Sequence, residues 1–576
     1  MADREVKLDP SDLEDERTNP EIEKDEEEKQ RHHADLASSL ASDDRPAEDE
    51  EIVWHYLTHD AELPVPAYRL RSARNAPDDH PPPAAVACPD LKKYMNPYHW
   101  PKRQKTMLTW LSVLATCLTA YGAGSFAPAE GQMRELWHVS EPVISVGLSI
   151  FTWGFAIAPM FLAPFSEIQG RRPMFVVTGI LWVIFQMVCS VTPTFAGMIV
   201  ARFLVGCCSS TFSTMVGGVV SDIYAAKDRN TAMALFAGGA ILGTGLGPLV
   251  SGFIAQNLNW RWVFYVQIIT NGVMMIFIVA FFRETRGSVL LSRKAKLLNK
   301  WYDQLEDQGY YGMMMPVAHQ PLETAPQRIR WKVKSDEERA SIGKMISVSL
   351  YRPFHLLLTE PVVFFFSLWV SFAWGVLYML FSAVPLIFQT NHNFTLEQAN
   401  GVFAATCVAA IISVVLSIYQ EKLARRYLSE ERRVVLDTPE GRLYFACLWS
   451  TLLPIGCFWF GWSSFASIPW IVPALAVGCA TMGIFSIYLA VFNYLADVYH
   501  VYASSALAAQ SFCRNLLGGA FPLFTPQMYR ALTFQGASSL LGGLAALLTI
   551  VPWVLVFYGP RIRARSKIAS QIMEKS

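Results

Sequence analysis

Charge is scarce in this chain, and stretches built for covalent chemistry are missing. Asp, Glu, Lys and Arg make up 17% of its 576 residues. No HExxH, GxSxG or GxxxxGKS/T pattern occurs. Without the last of these, a phosphate-binding loop, the chain is not itself an ATP-driven pump. No catalytic constellation stands out, so an enzyme is not expected. The opening residues, MADREVKLDPSDLEDE, contain no apolar core, and no cleavable signal peptide is expected. Nine of the ten cysteines lie in or beside apolar segments and none has metal-ligand spacing. They read as small buried hydrophobes, with no metal site. The formal net charge is zero, but residues 1–50 alone hold 19 acidic and 7 basic residues. An acidic tail is thus averaged against a basic remainder, and no nucleic-acid partner is implied.

What the chain has in abundance is apolar length. Hydrophobic residues make up 52% and aromatics 13% of it. A bilayer core about 30 Å thick takes about 20 apolar residues per helix. Segments of that length fall at 107–128, 143–164, 174–192, 195–220, 232–254 and 262–282. Six more lie at 362–388, 398–419, 443–463, 468–492, 505–528 and 536–558. The expected fold is an all-α integral membrane protein with twelve transmembrane helices in two six-helix halves. Its divisions are a disordered acidic tail (1–95), the first half (96–282), a central loop (283–361), the second half (362–559) and a basic tail (560–576).

Basic residues orient the helices, because Lys and Arg concentrate in loops that stay inside. Alternate loops carry Arg171 and Arg172, Lys227 and Arg229, the basic central loop, and Lys422 with Arg425, Arg426, Arg432 and Arg433. The intervening loops carry isolated Arg134, Arg261 and Arg530. Both termini are therefore expected in the cytosol. Asn393–Thr395, an N-glycosylation acceptor pattern, falls in a loop placed outside by the same rule.

A few residues stand out against this apolar background. Arg202 lies about seven residues inside the fourth segment. An arginine near the centre of a membrane helix costs about 2.5–3.5 kcal/mol on insertion scales, so it is expected to face the bundle interior. APFSEIQGRRP (163–173) joins the second and third helices, with Pro164 and Gly170 suited to a tight turn and Glu167 beside Arg171 and Arg172. Asp222, at the same side of the bilayer, is placed to pair with Arg171 or Arg172. In the second half, Glu360 precedes the seventh helix, and Asp497 and Arg514 are a possible pair. Aromatic and polar candidates for a substrate cavity are Tyr121, Phe126, Trp374, Tyr378, Tyr488 and Asn493, which would suit amphipathic, aromatic or cationic molecules.

Residues 238–252, GGAILGTGLGPLVSG, hold six glycines and a proline inside the fifth segment. Glycine and proline are the poorest residues for a helix interior in water. In a bilayer, small residues instead let helices approach closely. Gly239, Gly243 and Gly247 recur every four residues on one face, Gly245 and Gly252 share another, and Pro248 removes a backbone hydrogen bond.

Together these stretches resemble the major facilitator superfamily, and within it the fungal twelve-span drug:proton antiporters, which include multidrug, polyamine and toxin exporters. The resemblance runs from about Asn96 to the C-terminus. NPYHWP (96–101) is similar to a signature before the first helix. APFSEIQGRRP is similar to the loop motif whose acid and arginines are implied to gate the cytosolic side with Asp222. Arg202 with Gly206 is similar to a motif implicated in proton transfer, and GTGLGPLVSG to one held typical of antiporters. RETRGSVLLSRKAK after the sixth helix and residues 494–524 also look family-like. Ala163, Glu167, Ile168 and Ser251 depart from the usual residues of these motifs.

The resemblance implies export of amphipathic small molecules by alternating access. The energy would come from a proton gradient, and no cofactor is expected. Lipid, protons and substrate would be the partners of a plasma-membrane monomer. An importer or uniporter of a nutrient, or a non-transporting sensor, are the alternatives.

Overall fold

A computed structural model describes residues 51–67 and 85–565, apart from short breaks at 226–227, 309, 311, 318–319, 339–340, 428–437, 439, 442 and 500–501. The acidic stretch 1–50, and Lys227, Arg432 and Arg433, lie outside the described residues. The chain forms two compact units, one of residues 94–290 and 337–576, the other of residues 1–93 and 291–336.

The larger unit is the membrane body. Its first half holds spans 1 to 6: Lys102–Gly124, Glu141–Gln169, Arg171–Val191, Phe195–Ile223, Arg229–Asn257 and Arg261–Phe281. Its second half opens with spans 7 to 10: Pro361–His392, Leu396–Ala424, Leu443–Trp462 and Ile471–Tyr499. A continuous apolar run, Ala503–Ile562, covers 60 residues. At a rise of about 1.5 Å per residue that is about 90 Å, enough for two crossings. It breaks at Thr533, whose backbone (φ 65°, ψ 167°) is not helical. The Thr533 hydroxyl accepts from the Gly536 amide at 3.3 Å, capping the helix that begins there. Spans 11 and 12 are therefore 503–532 and 534–562, and the body has twelve crossings. The even number puts both ends of the body on one side of the bilayer, here called the terminal face.

Span 5 explains its own glycines. A Cβ built on Gly239 would lie 2.8 Å from the Val113 side chain. On Gly243 it would lie 2.1 Å from the Cys117 carbonyl, and on Gly247 2.7 Å from that of Tyr121. This face lets span 1 lie backbone to backbone on span 5. Gly245 and Gly252 make room on the other side for side chains of span 8, Cys407 and Asn400. Span 5 is thus a smooth seam between a first-half and a second-half helix. Pro248 cannot donate to the Thr244 carbonyl, and that oxygen lies where a Cβ on Gly124 of span 1 would come within 3.0 Å. The outer surface of the body is apolar, with residues such as Ile276, Leu448 and Leu547 exposed where lipid would meet them.

The smaller unit corrects the expected domain plan. The tail up to residue 95 is not structureless throughout, and 283–361 is not a plain loop. Strand β1 (Val53–Tyr56) pairs in parallel with β4 (Ile329–Lys332). Strands β2 (Met313–Val317) and β3 (Gln320–Gln327) form an antiparallel hairpin. The helix Gly287–Asp307 supplies apolar positions Leu291, Ala295, Leu298, Tyr302 and Leu305, one stripe at helical spacing. They build a core with Leu57, Ile329 and Trp331. Asn299 brackets Trp331 with hydrogen bonds to its backbone N–H (2.8 Å) and C=O (2.9 Å). Glu306 bridges Arg328 (2.9 Å) and Arg330 (2.8 Å). Burial alone raises the Glu306 pKa, but hydrogen bonds and charge from these two arginines outweigh it and hold the carboxyl below the ordinary glutamate value.

Candidate functional site

At the terminal face, the turn between spans 2 and 3 is tighter than the sequence suggests. Pro164 lies inside span 2, not in the turn, and Gly170 alone makes the reversal at φ 104°. That conformation favours glycine. A Cβ there would also meet a Glu284 carboxylate oxygen at 2.1 Å. Glu284 Oε1 accepts from the backbone N–H of Arg171 at 2.8 Å, and Oε2 from that of Arg172 at 3.2 Å. A carboxylate thus caps the positive end of span 3.

The Arg171 side chain is buried. It pairs with Asp222 at 3.3 Å and donates to Ser166 Oγ at 2.7 Å. Arg286 meets the other Asp222 oxygen at 3.4 Å, and the Thr285 hydroxyl donates to the same carboxylate. Arg172 does not join this pair and donates to the Val279 carbonyl at 3.1 Å. Glu167 has no hydrogen bond or ion pair among the described residues, so Asp222 and Glu284, rather than Glu167, supply the negative charge. Sequence reasoning did not single out Glu284, Arg286 or Ser166. The hint was the RETR stretch after span 6.

Arg202 faces the bundle interior and is fully buried. Its Nε donates to the Gly147 carbonyl of span 2 and its Nη1 to the Gly122 carbonyl of span 1, both at 3.2 Å. The guanidinium is sandwiched between Phe126 (4.8 Å) and Phe151 (4.6 Å). Phe126 is therefore a platform under Arg202. One turn after Phe126 comes Glu130, overlooked in the sequence because it lies just past the apolar run. Glu130 accepts from the Ser145 hydroxyl at 3.0 Å. Arg202 and Glu130 thus converge on the same stretch of span 2, residues 145–147, and lie within electrostatic reach of each other.

Between the halves sits a cavity of about 20 Å3, lined by Thr116, Thr119 and Phe151 on one side and Trp374, Tyr378 and Arg514 on the other. That is room for about one water molecule. Arg514 lies over Trp374 (4.6 Å) and Tyr488 (4.8 Å). It does not pair with Asp497, which is half-buried further along span 10; its hydrogen bond goes to Ser511 Oγ at 3.4 Å. Tyr121 is buried in the span 1–span 5 seam. Glu360, at the start of span 7, is buried and accepts from the Tyr499 hydroxyl at 3.2 Å. Asn393 is exposed, in a left-handed conformation at the end of span 7.

Polar latches close the halves on both faces. At the terminal face Asn230 of span 5 donates to Glu421 of span 8, and Asn493 of span 10 donates to Asn230 at 3.2 Å. These side chains ring a second cavity of about 110 Å3 in which Asn493 takes part. At the opposite face Glu141 of span 2 pairs with Arg530 of span 11 at 3.0 Å. There Asn257 of span 5 also donates to Glu397 of span 8 at 3.0 Å. The cleft between halves is shut at both ends, an occluded arrangement.

Two six-span halves closing on a central cavity are a transporter's geometry, and the family model of the Major Facilitator Superfamily matches residues 112–522. The chain belongs to the major facilitator superfamily. As a major facilitator it has close company among fungal exporters. It is 30% identical to "Efflux pump FUBT" of Fusarium oxysporum over 82% of this chain and 75% of that protein. It is 33% identical to the multidrug transporter mdrA of Aspergillus fumigatus over 83% of this chain and 74% of that one. The xylose transporter XylE from E. coli, in a partially occluded inward-open conformation, superposes with a TM-score of 0.53 at 13% identity, covering 78% of this chain and 98% of its own. That likeness concerns the fold alone. The chain is thus a multi-pass membrane transporter of the drug-exporter branch of this superfamily.

Proposed function

We propose that this major facilitator exports amphipathic small molecules, such as drugs, toxins or secondary metabolites, in exchange for protons. The observation that carries the reading is the closed central cavity between two halves that are latched at both faces by different groups. Alternating access needs two gates that open in turn, and here the gates are separate: Asn230–Glu421–Asn493 on one side, and Glu141–Arg530 with Asn257–Glu397 on the other. Positive-inside loops favour a cytosolic terminal face, which makes Glu141–Arg530 the outer gate and leaves Asn393 outside for glycosylation. The efflux pumps among the relatives favour the outward direction, and export out of the cell calls for a plasma-membrane site. A monomer suffices, because both halves lie in one chain.

For the proton, Glu130 is the best-placed carboxylate. It stands on the outer side of Arg202 and within reach of Glu141. Charged, it repels Glu141 and attracts Arg202. A proton arriving from outside removes the repulsion, strengthens Glu141–Arg530 and closes the outer gate. That is the sign exchange requires, because the proton-loaded protein must turn inward. Inside-out vesicles from cells producing the chain test the reading. They are loaded with 1-anilinonaphthalene-8-sulfonate, Nile red or ethidium, with and without an imposed proton gradient. Uptake of at least one probe should collapse with the gradient; uptake of any probe that is indifferent to the gradient refutes exchange.

A further inference from the structure

Arg514 presents an electrostatic problem that the protein itself leaves unsolved. Its side chain is buried where the two halves meet, with 3% of the residue exposed. Two of its three nitrogens, Nε and Nη1, have no hydrogen-bond partner among the described residues. The third makes one long bond to Ser511. Among the described residues, no carboxylate forms an ion pair with it. Gln510, one turn earlier, leaves its Oε1 buried and unpartnered too. A guanidinium carries five N–H donors and no acceptor. Buried charge is costly unless paired and hydrogen-bonded. The stacked rings of Trp374 and Tyr488 offset part of that cost but accept no conventional hydrogen bond.

The rings also matter for what a ligand finds there. Of the aromatic rings that line the cavity, Trp374 is already covered by a cation of the protein, Arg514 itself. Arg202 does the same on the other side, covering Phe126 and Phe151. Unlike Arg202, which has Glu130 within reach, Arg514 borders the cavity itself. A cationic guest would meet a fixed positive charge in a low-dielectric site. An anionic guest would meet an open pair of donors.

We propose that Arg514 is the anchor of a binding site for amphipathic organic anions, carboxylates above all. The anion takes the open Nε and Nη1 donors, and the apolar body lies along Tyr378, Phe155 and Ala240 of the cavity wall once the halves part. The site deepens the transport reading by naming a substrate class, and it stands on binding rather than on flux or protons.

The test uses the full chain in lipid nanodiscs and three matched series of 4-alkylbenzenes, from ethyl to octyl: benzoates, benzamides and benzylammonium salts. Melting temperature and equilibrium binding are both recorded. Benzoates should bind and stabilise with rising chain length, and at least tenfold more tightly than the benzamides or ammonium salts. Arg514→Gln should lose that preference, and Arg514→Lys should keep part of it. The ligand-free Arg514→Gln protein should melt no lower than the wild type, because a buried charge without an acid has been removed. Benzoates that bind no better than the other two series overturn the proposal, as does an Arg514→Gln protein that keeps the preference. A ligand-free Arg514→Gln protein that melts well below wild type also overturns it, since Arg514 would then be a structural residue. None of these outcomes depends on a proton gradient, so the proposal and the exchange reading fail separately.

Discussion

Replacing Gly243 with alanine adds one methyl group where the chain has no room. The new Cβ would lie 2.1 Å from the Cys117 carbonyl oxygen and 2.8 Å from the Ala120 Cβ. Ordinary contact begins at 3.4 Å, so spans 1 and 5 must part by about 1.3 Å (3.4 less 2.1). The obstacle is backbone, which cannot swing aside as a side chain does. Overpacking of this kind costs about 1–3 kcal/mol. The same energy equals about a 5- to 150-fold change in the balance between the occluded arrangement and one in which the seam is loosened. The assay is thermal unfolding of the purified protein alongside maleimide labelling of Cys117, which is buried in the seam. Gly243→Ala should lower the melting temperature and speed labelling. Gly272→Ala in span 6, where a Cβ meets nothing within 4 Å, is the control and should leave both unchanged or slightly raise stability. Equal behaviour of the two variants would refute the close-packed seam.

The same geometry carries three further expectations. Gly170→Ala should be more damaging than its size suggests, since it meets both a forbidden φ and the Glu284 carboxylate; transport should fall at least tenfold at normal membrane abundance, and wild-type flux would contradict the turn. Asp222→Asn leaves the buried Arg171 without its acid, a change that costs about 3–5 kcal/mol for buried pairs, so the purified variant should melt at a lower temperature, and an unchanged melting temperature would contradict the pairing. The smaller unit should weaken in acid: Glu306 is held below its ordinary pKa, so its stabilisation is complete above the unfolded value of about 4.3 and is lost as pH falls through the lower folded value. Trp301 and Trp331 fluorescence during acid titration should report that loss in wild type and not in Glu306→Gln.

Much of the membrane body is legible in the sequence, because bilayer thickness imposes a length and water's absence imposes apolarity. Arg202 is readable as interior for the same reason: lipid would not tolerate it. The glycine faces of span 5 come from spacing alone. Partners are harder. Asp497 and Arg514 look like a pair in sequence, yet Arg514 turns to aromatic rings on spans 7 and 10. Glu284 acts on Arg171 across more than a hundred residues, and nothing local announces it. Strand β1 is four residues long and its partner lies in the central segment, too short and too distant a pairing for periodicity to reveal.

The most direct measurement concerns Glu130. Purified wild type and Glu130→Gln are reconstituted in proteoliposomes, and flux of a transported anilinonaphthalene sulfonate or alkylbenzoate is measured with and without a pH gradient. Proton exchange through Glu130 predicts gradient-driven accumulation by wild type, and in the variant only downhill movement that ignores the gradient. Accumulation by Glu130→Gln as steep in its response to the gradient as that of wild type would contradict it.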